Sequence, residues 1–189
     1  MPLNIPNLLT WGRILLIPLF VGVFYAPHHW LAPTEQNLAA TIIFVVAAIT
    51  DWLDGWLARR LGQMSAFGAF LDPVADKLMV AAALIILVQL DRADAVVAFV
   101  IIGREIAISA LREWMAKIGA ARSVTVSILG KIKTVCQMVA IPLLLFHDPL
   151  ALFDPQRLGT WLVYLAAALT LWSMAYYLKM AWPHIAERV

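Results

Sequence analysis

The stretch DWLDGWLARRLGQMSAFGAFLDPVADK, residues 51–77, decides how this chain is interpreted. Its four aspartates lie within or beside apolar runs long enough to enter a membrane: Asp51, Asp54, Asp72 and Asp76. An ionisable side chain at membrane depth is costly, and it therefore indicates a functional site. Because four carboxylates of one sign cannot neutralise one another, they need cations. Divalent metal ions held by oxygen ligands suit them best.

The spacing of these aspartates predicts two helices that meet at one site. Asp51 and Asp54 are three residues apart and Asp72 and Asp76 are four apart, so each pair shares a helical face with Cβ atoms about 5–6 Å apart. The segment between them, residues 58–68, holds two glycines and no long apolar run, which favours an antiparallel helical hairpin. The two pairs would then face each other and form a cage for one metal ion, or for two about 3.5–4 Å apart.

Composition indicates a polytopic membrane protein with a single domain over residues 1–189. Of the 189 residues, 63% are hydrophobic and 14% are charged, and the mean hydropathy is +0.85. A helix needs about 20 residues to cross about 30 Å of hydrocarbon, so six spans nearly exhaust the length. The single cysteine excludes an intrachain disulfide. No cleavable signal peptide is expected, since no cleavage site follows the first apolar run.

Hydropathy predicts an all-α integral membrane fold with six transmembrane helices. Their expected ranges are 7–26, 38–60, 67–89, 96–117, 131 or a little before to 146, and 158–180. The apolar part of the second range, residues 38–50, is too short to cross alone, so the helix is expected to continue through the first aspartate pair. Residues 118–130 are expected to form an irregular connector, and residues 183–189 a short tail.

The distribution of basic residues predicts the orientation of these spans. Arg92 and Arg157 belong to loops on one side, whereas the other lysines and arginines lie towards the opposite side. By the positive-inside rule, both termini and the aspartate hairpin are cytoplasmic. The site is therefore expected to open where soluble metabolites and nucleotides are found.

The aspartate stretch resembles the signature of the CDP-alcohol phosphotransferases, D-x2-D-G-x2-A-R-x8-G-x3-D-x3-D. Its eight fixed positions over 26 residues are filled without a gap by Asp51, Asp54, Gly55, Ala58, Arg59, Gly68, Asp72 and Asp76. The resemblance implies the six-helix fold of that family, and magnesium, or manganese, as the cofactor, with two ions. It also implies a homodimer.

The same resemblance implies a role for each position of the signature. Asp51, Asp54 and Asp72 would bind metal, and Asp76 would take the proton from an attacking hydroxyl and also touch metal. The opening NIPNLLTWGR adds three candidates to the residues that would bind the nucleotide or the CDP-lipid. Together these are Gly55, Ala58, Arg59, Gly68, Asn7, Thr10 and Arg13. Anchoring at the membrane interface is the alternative role for the last three.

Four stretches are most similar to bacterial family members whose acceptor is glycerol 3-phosphate: NIPNLLTWGR, TDWLDGWLARR, GREIAISALREWMAKIG and GKIKTVCQM. This similarity runs from residue 4 to about residue 145 and is weaker in the last span. It implies transfer of a phosphatidyl group from CDP-diacylglycerol to sn-glycerol 3-phosphate, with CMP leaving. It also implies the bacterial cytoplasmic (inner) membrane, with membrane lipids as surroundings.

A basic pocket outside the signature is expected to bind the acceptor's own phosphate. Arg104 and Arg112 are eight residues apart, so they lie roughly on one helical face, while Lys131 and Lys133 open the next span. Arginine and lysine suit a phosphate, whereas serine or choline would not need them. Positive-inside anchoring is the alternative role. Glu105, which adjoins Arg104, is expected to pair with a basic residue elsewhere.

Three other functions fit parts of the sequence, and no nucleic-acid partner is expected. A sister phosphotransferase that uses inositol phosphate or serine would keep the metal site, and an uncharged acceptor would tolerate charge reversal at Arg112 or Lys131. An intramembrane prenyltransferase also uses aspartates and magnesium, but it usually has two separated motifs and no D-G-x2-A-R. A cation transporter would move metal without lipid turnover, and inverted hydropathy repeats, which would favour it, are not found in the chain.

Overall fold

The computed structural model describes residues 5–61, 66–119, 128–150 and 153–186, and these residues form helices without a β-strand. In chain order the helices are α1 (Ile5–Tyr25), α2 (Pro33–Leu61), α3 (Ala66–Gln89), α4 (Ala95–Lys117), α5 (Ile128–Phe146) and α6 (Pro155–Ala186). The all-α architecture with six helices predicted from the sequence is confirmed.

Three of the helices are long and apolar enough to cross a membrane, namely Leu8–Tyr25 in α1, Pro33–Leu57 in α2 and Pro155–Trp182 in α6. This makes the chain a multi-pass membrane protein. Within the described residues, α3, α4 and α5 are not long and apolar enough to meet the same criterion. The expectation of six spans is therefore confirmed only in part. In α3 and α4 the reason is charge. The first carries Asp72, Asp76 and Lys77, and the second carries Arg104, Glu105 and Arg112 among others.

Helix α2 begins at Pro33 and not at residue 38, because polar side chains stabilise its start. The Glu35 carboxylate accepts a hydrogen bond from the Ala32 backbone N–H (2.8 Å), which is an N-terminal capping contact. Gln36 donates from Nε2 to the Ala26 carbonyl (3.0 Å) and ties the first helical turn to the end of α1. Hydropathy alone therefore missed this first turn.

The other boundaries differ less. Helix α6 starts at Pro155 and continues to Ala186, so most of the expected tail is helical. Helix α5 starts at Ile128, a little before residue 131, as expected. The irregular connector expected at 118–130 falls largely on residues 120–127, which lie outside the described residues.

The hydrophobic core takes side chains from all six helices, each 0–2% exposed: Phe20, Phe44, Leu84, Leu87, Ile101, Ile141, Leu144, Leu145 and Val163. In α1 and α3 these residues follow the candidate site residues along the chain, and in α2 they precede them. Because α2 runs antiparallel to α1 and α3, these opposite orders along the chain place the core on the same side of the aspartates in all three helices. The core therefore lies towards the end of the bundle opposite the aspartates. A smaller cluster, Ile108, Met115, Tyr177 and Ala181, joins α4 to α6.

That opposite end is held together by Arg92, in the turn between α3 and α4. Its Nη1 donates to the carbonyls of Leu145 (2.9 Å) and Leu144 (3.4 Å) at the end of α5, and Gln156 Nε2 donates to the Arg92 carbonyl (3.3 Å). Burial lowers the pKa of the Arg92 guanidinium, while nearby Asp148 acts in the other direction. The turn that carries Arg92 and the first turn of α6, which carries Arg157, are therefore neighbours at one end.

Candidate active site

The start of α1 meets both aspartate pairs. Thr10 Oγ1 donates to Asp72 Oδ1 (2.6 Å). The Arg13 guanidinium donates from Nη1 to Asp51 and from Nη2 to Asp54, and forms an ion pair with each carboxylate. Thr10 and Arg13 are only 1% and 2% exposed, respectively. Side chains from α1, α2 and α3 therefore converge on one site.

The aspartates differ in burial, which shows from where the site can be reached. Asp54 is 2% exposed, whereas the Asp51 side chain is 42% exposed. Asp72 and Asp76 are half-buried. A ligand would therefore approach past Asp51 and meet Asp54 deeper in the site.

The four aspartates fit a divalent metal ion by their donor chemistry, since carboxylate oxygens are the ligands that magnesium and manganese prefer. They do not form the single cage expected from their spacing. Across the described ranges, no three acidic, histidine or cysteine side chains lie close enough together to hold a metal ion. Arg13 instead provides a positive charge to Asp51 and Asp54. A metal ion and the guanidinium would compete for the same oxygens.

The remaining signature residues surround the aspartates along the chain. Gly55 directly follows Asp54 in α2 and is half-buried, and Gly68 is buried in α3 one turn before Asp72. The side chains of three predicted nucleotide-binding residues lie outside the described residues, although their backbones belong to α1 and α2: Asn7, Ala58 and Arg59.

The predicted acceptor residues Arg104 and Lys133 form a buried network with Glu105. They are 7% and 2% exposed. Lys133 Nζ donates to Glu105 Oε1, and Arg104 Nη1 lies 3.4 Å from the same oxygen. Arg104 Nη2 also donates to Ser173 Oγ (3.1 Å) in α6. The expected pairing of Glu105 with a basic residue elsewhere is thus confirmed, and it joins α4 to α5 and α6.

Arg112 lies on the same face of α4 as Arg104, as the spacing predicts. The two guanidinium carbons lie 5.3 and 5.6 Å from the centre of the Tyr177 ring. Lys131, by contrast, is exposed. Two residues before Lys133 on a helix, it points to a different face. The structure therefore brings three of the four predicted basic residues together and leaves Lys131 apart.

A polar cavity beside Asp76 was missed by the sequence reasoning. It has a volume of about 60 Å³ and lies between α3, α4 and α5, lined by Asp76, Lys77, Val80, Glu105, Thr134, Gln137 and Met138. Thr134 and Gln137 both lie in the stretch GKIKTVCQM, residues 130–138, from which only Lys131 and Lys133 were predicted to bind a ligand.

On the other side of Asp76, the site continues into an apolar groove between α2 and α5. The groove has a volume of about 270 Å³ and is lined by Phe44, Val45, Ala48, Ile49, Trp52, Met138 and Pro142. A cleft of about 10 Å³, lined in part by Arg13 and Asp76, shares Phe44, Ala48 and Met138 with this groove. The cleft also shares Asp76, Val80 and Met138 with the polar cavity. Groove, cleft and polar cavity thus form one row, and Asp76 lines both the cleft and the polar cavity.

Comparison with known proteins agrees with this site. The model of the CDP-alcohol phosphatidyltransferase family matches residues 3–172. A Pseudomonas fluorescens protein named CDP-diacylglycerol–glycerol-3-phosphate 3-phosphatidyltransferase is 51% identical over 187 residues, which cover 97% of this chain and 92% of that protein. Proteins of the same name from Escherichia coli (strain K12) and Shigella flexneri are each 50% identical over 183 residues, 96% of this chain and 96% of theirs. With a signature filled at every position and these similarities over nearly its whole length, the chain belongs to the CDP-alcohol phosphatidyltransferase family.

Proposed function

We propose that this protein transfers the phosphatidyl group from CDP-diacylglycerol to sn-glycerol 3-phosphate, giving phosphatidylglycerophosphate and CMP. The observation that carries this proposal is the identity of 50–51%, over nearly the whole chain, to proteins named for that reaction. Identity of this extent over nearly the full length of both chains indicates a shared fold.

The row of cavities supports a reaction between a lipid and a water-soluble acceptor, because its two ends differ in polarity. In the apolar groove, Val45, Ile49 and Trp52 are 37%, 56% and 67% exposed on a helix that can span the membrane, as suits an acyl chain. The polar cavity offers carboxylates, a hydroxyl and an amide to the acceptor. Asp76 lies between them, where a lipid-linked phosphate and an acceptor hydroxyl would meet.

The chemistry follows from these positions. Asp76 takes the proton of the attacking primary hydroxyl, whose oxygen forms a bond to the phosphorus that carries diacylglycerol. The phosphorus–oxygen bond to CMP breaks, and CMP leaves as an anion. A carboxylate near cations is a weak base, so the proton moves late, as the new bond forms. Asp51, Asp54 and Asp72 would hold magnesium or manganese, proposed as two ions, which when bound neutralise the phosphate oxygens and the leaving phosphate.

Thr10 and Arg13 are assigned to this site and not to interface anchoring, because an interface anchor needs exposure and both side chains are buried. With Asn7, Gly55, Ala58, Arg59 and Gly68, they are proposed to bind the CDP part of the lipid. Since Arg13 contacts Asp51 and Asp54, it can pass from these carboxylates to a phosphate of the donor as the site fills.

Arg104, Arg112 and Lys133 are proposed to bind the acceptor's phosphate, while the exposed Lys131 has weaker support. Arg104 and Lys133 already share one carboxylate, that of Glu105, so a phosphate nearby would gain two charged hydrogen bonds. The same cluster would serve inositol phosphate, and a phosphotransferase for that acceptor is the second candidate. Serine is disfavoured, since it carries no phosphate.

We also propose a single domain over residues 1–189, a homodimer, and insertion in the bacterial cytoplasmic membrane with both termini and the aspartate site in the cytoplasm. The positive-inside distribution supports the orientation, and the turn with Arg92 lies beside the first turn of α6, which carries Arg157, at the far end. A cysteine placed at Asp91 should react with a membrane-impermeant maleimide added to intact spheroplasts. Protection there would contradict the orientation. A monomeric mass in mild detergent would contradict the dimer.

The function is tested by CMP release from the detergent-purified protein supplied with CDP-diacylglycerol. Glycerol 3-phosphate, inositol phosphate, serine and inositol are offered separately, with magnesium or with chelator. We expect magnesium-dependent release with glycerol 3-phosphate alone, and its loss in Asp76→Asn, which should still bind the CDP-lipid. CMP release with inositol phosphate alone would favour the phosphotransferase for that acceptor. Absence of CMP release with every acceptor would contradict the proposal. Near wild-type turnover in Asp76→Asn would contradict the role of Asp76 as the base.

A further inference from the structure

Gln137 is a buried amide whose position in the core of α5 needs an explanation. It is only 4% exposed, and it lines the polar cavity beside Asp76. Buried amides normally have a hydrogen-bond partner. A molecule that enters the cavity would meet this amide together with the Asp76 carboxylate.

The lining of this cavity suits hydroxyl groups better than a phosphate. Asp76 and Glu105 provide carboxylate oxygens and Thr134 a hydroxyl, against one ammonium group, that of Lys77. Thr134 donates its proton to the Gly130 carbonyl (3.0 Å), so its oxygen is left as an acceptor. An anion would meet more negative than positive groups here, whereas a neutral polyol could donate hydrogen bonds to several of them.

The size of the cavity points to a short polyol. About 60 Å³ is room for several water molecules. That space takes a fragment of two or three carbons with its hydroxyls. The amide of Gln137 can both donate from Nε2 and accept at Oε1, which matches a hydroxyl that does both.

We propose that this cavity is the polyol end of the acceptor site and that Gln137 binds the secondary hydroxyl at C2 of glycerol 3-phosphate. This inference rests on the proposed function. With C2 held by Gln137, the neighbouring primary hydroxyl faces Asp76. The phosphate at the other end extends towards Arg104 and Lys133, which both contact the lining residue Glu105. Gln137 thereby favours an acceptor that carries a hydroxyl at C2 over one that lacks it.

The test compares two acceptors that differ only at C2: glycerol 3-phosphate and 3-hydroxypropyl phosphate, which lacks the secondary hydroxyl. Wild-type kcat/KM should favour glycerol 3-phosphate by roughly 10- to 100-fold, because the second acceptor leaves the amide unpaired. In Gln137→Met, which keeps the shape and removes the hydrogen bonds, kcat/KM for glycerol 3-phosphate should fall by roughly the same factor. The kcat/KM of this variant for 3-hydroxypropyl phosphate should hardly change. Gln137→Met should therefore use the two acceptors almost equally well.

Gln36→Met is the matched control, because Gln36 is also buried (6% exposed) but is satisfied by the Ala26 carbonyl near the far end of the bundle. It should leave the preference between the two acceptors unchanged. An equal fall of both kcat/KM values in Gln137→Met would make Gln137 a structural residue and overturn the proposal.

If Gln137→Met does not fold, the comparison of the two acceptors with the wild-type protein still tests the proposal. Release of CMP with glycerol 3-phosphate but no preference over 3-hydroxypropyl phosphate would overturn the role of Gln137 and leave the proposed function standing. Absence of release with glycerol 3-phosphate would instead contradict the proposed function itself.

Discussion

Arg13 is the single side chain on which the arrangement of the site most depends. It is buried in α1 and pairs with Asp51 and Asp54 of α2, so its single positive charge offsets part of the repulsion between these two carboxylates. An uncompensated charge in the interior is costly, and this holds most strongly for Asp54, whose side chain is 3% exposed.

We expect Arg13→Gln to lower the free energy of unfolding in chelator by about 3 kcal/mol, because it leaves the buried Asp54 carboxylate unpaired. Magnesium should then raise the Tm of this variant more than that of the wild type, since no guanidinium competes for the same oxygens. Thermal unfolding in detergent, with magnesium or with chelator, measures both effects.

The control for this prediction is Lys117→Gln, which breaks the exposed ion pair of Lys117 with Glu113, 71% and 70% exposed. Exposed pairs of this kind contribute little, so its Tm should stay at the wild-type value. If magnesium raised the Tm of Arg13→Gln and of the wild type by the same amount, Arg13 would not compete with the metal.

At the residue scale, the sequence predicted which charged groups form the site but not how they pair. The aspartate spacing indicated a shared position for Asp51 and Asp54, and the structure has them together. That Arg13 would pair with both depends on how α1 packs against α2, which spacing within one helix cannot reveal. Gln137 was missed for the same reason, because only the fold places it beside Asp76.

At the scale of helices, the close contact of α5 with α6 depends on Gly159. A Cβ atom at this position would lie 2.8 Å from Leu144 Cγ and 3.2 Å from the Ala140 carbonyl oxygen. Leu144 is fully buried and cannot move away without disturbing the core. The glycine therefore permits an approach of the two helices that alanine would prevent.

Gly159→Ala should lower the free energy of unfolding by about 1–3 kcal/mol through overpacking against α5. Gly22→Ala in α1 makes the same chemical change where nothing lies within 4 Å of the new Cβ. It should stabilise the protein by up to about 1 kcal/mol, because alanine favours the helix. Thermal unfolding of the two variants side by side would contradict this account if Gly159→Ala proved as stable as Gly22→Ala.

Helix boundaries show what hydropathy can and cannot predict at this scale. The expected ranges of α3 and α4 agree with the structure to within one residue. The start of α2 was placed five residues late, because its first turn is polar and is stabilised by Glu35 and Gln36. Hydropathy detects burial in lipid, and it cannot detect a capped helical turn that leaves the apolar region.

For the whole molecule, function follows from the separation of a packed end and an open end. The core and the Arg92 contacts hold the six helices together at one end. At the other end the helices leave room for the row of groove, cleft and polar cavity. The sequence predicted this division of the chain into an apolar body and a charged site, but the shape of the site depends on contacts between helices distant in sequence.

The groove at one end of this row predicts a difference between two neighbouring valines. Val45 lines the groove, whereas Val46 is 43% exposed and lines neither the groove, the cleft nor the polar cavity. If the groove holds an acyl chain of the donor, Val45→Trp should fill it and lower kcat/KM for long-chain CDP-diacylglycerol roughly tenfold. Val46→Trp adds the same bulk towards lipid and should leave kcat/KM within about twofold of wild type.

A dioctanoyl donor separates chain binding from damage to the site. Because its chains are short, Val45→Trp should lower kcat/KM for the dioctanoyl donor less than kcat/KM for the long-chain donor. The ratio of the two kcat/KM values then shifts in favour of the short-chain donor. An equal loss for both donors would mean that the tryptophan disturbs Asp76 and its neighbours and does not displace an acyl chain. An equal loss in Val45→Trp and Val46→Trp would remove the groove from the donor site altogether.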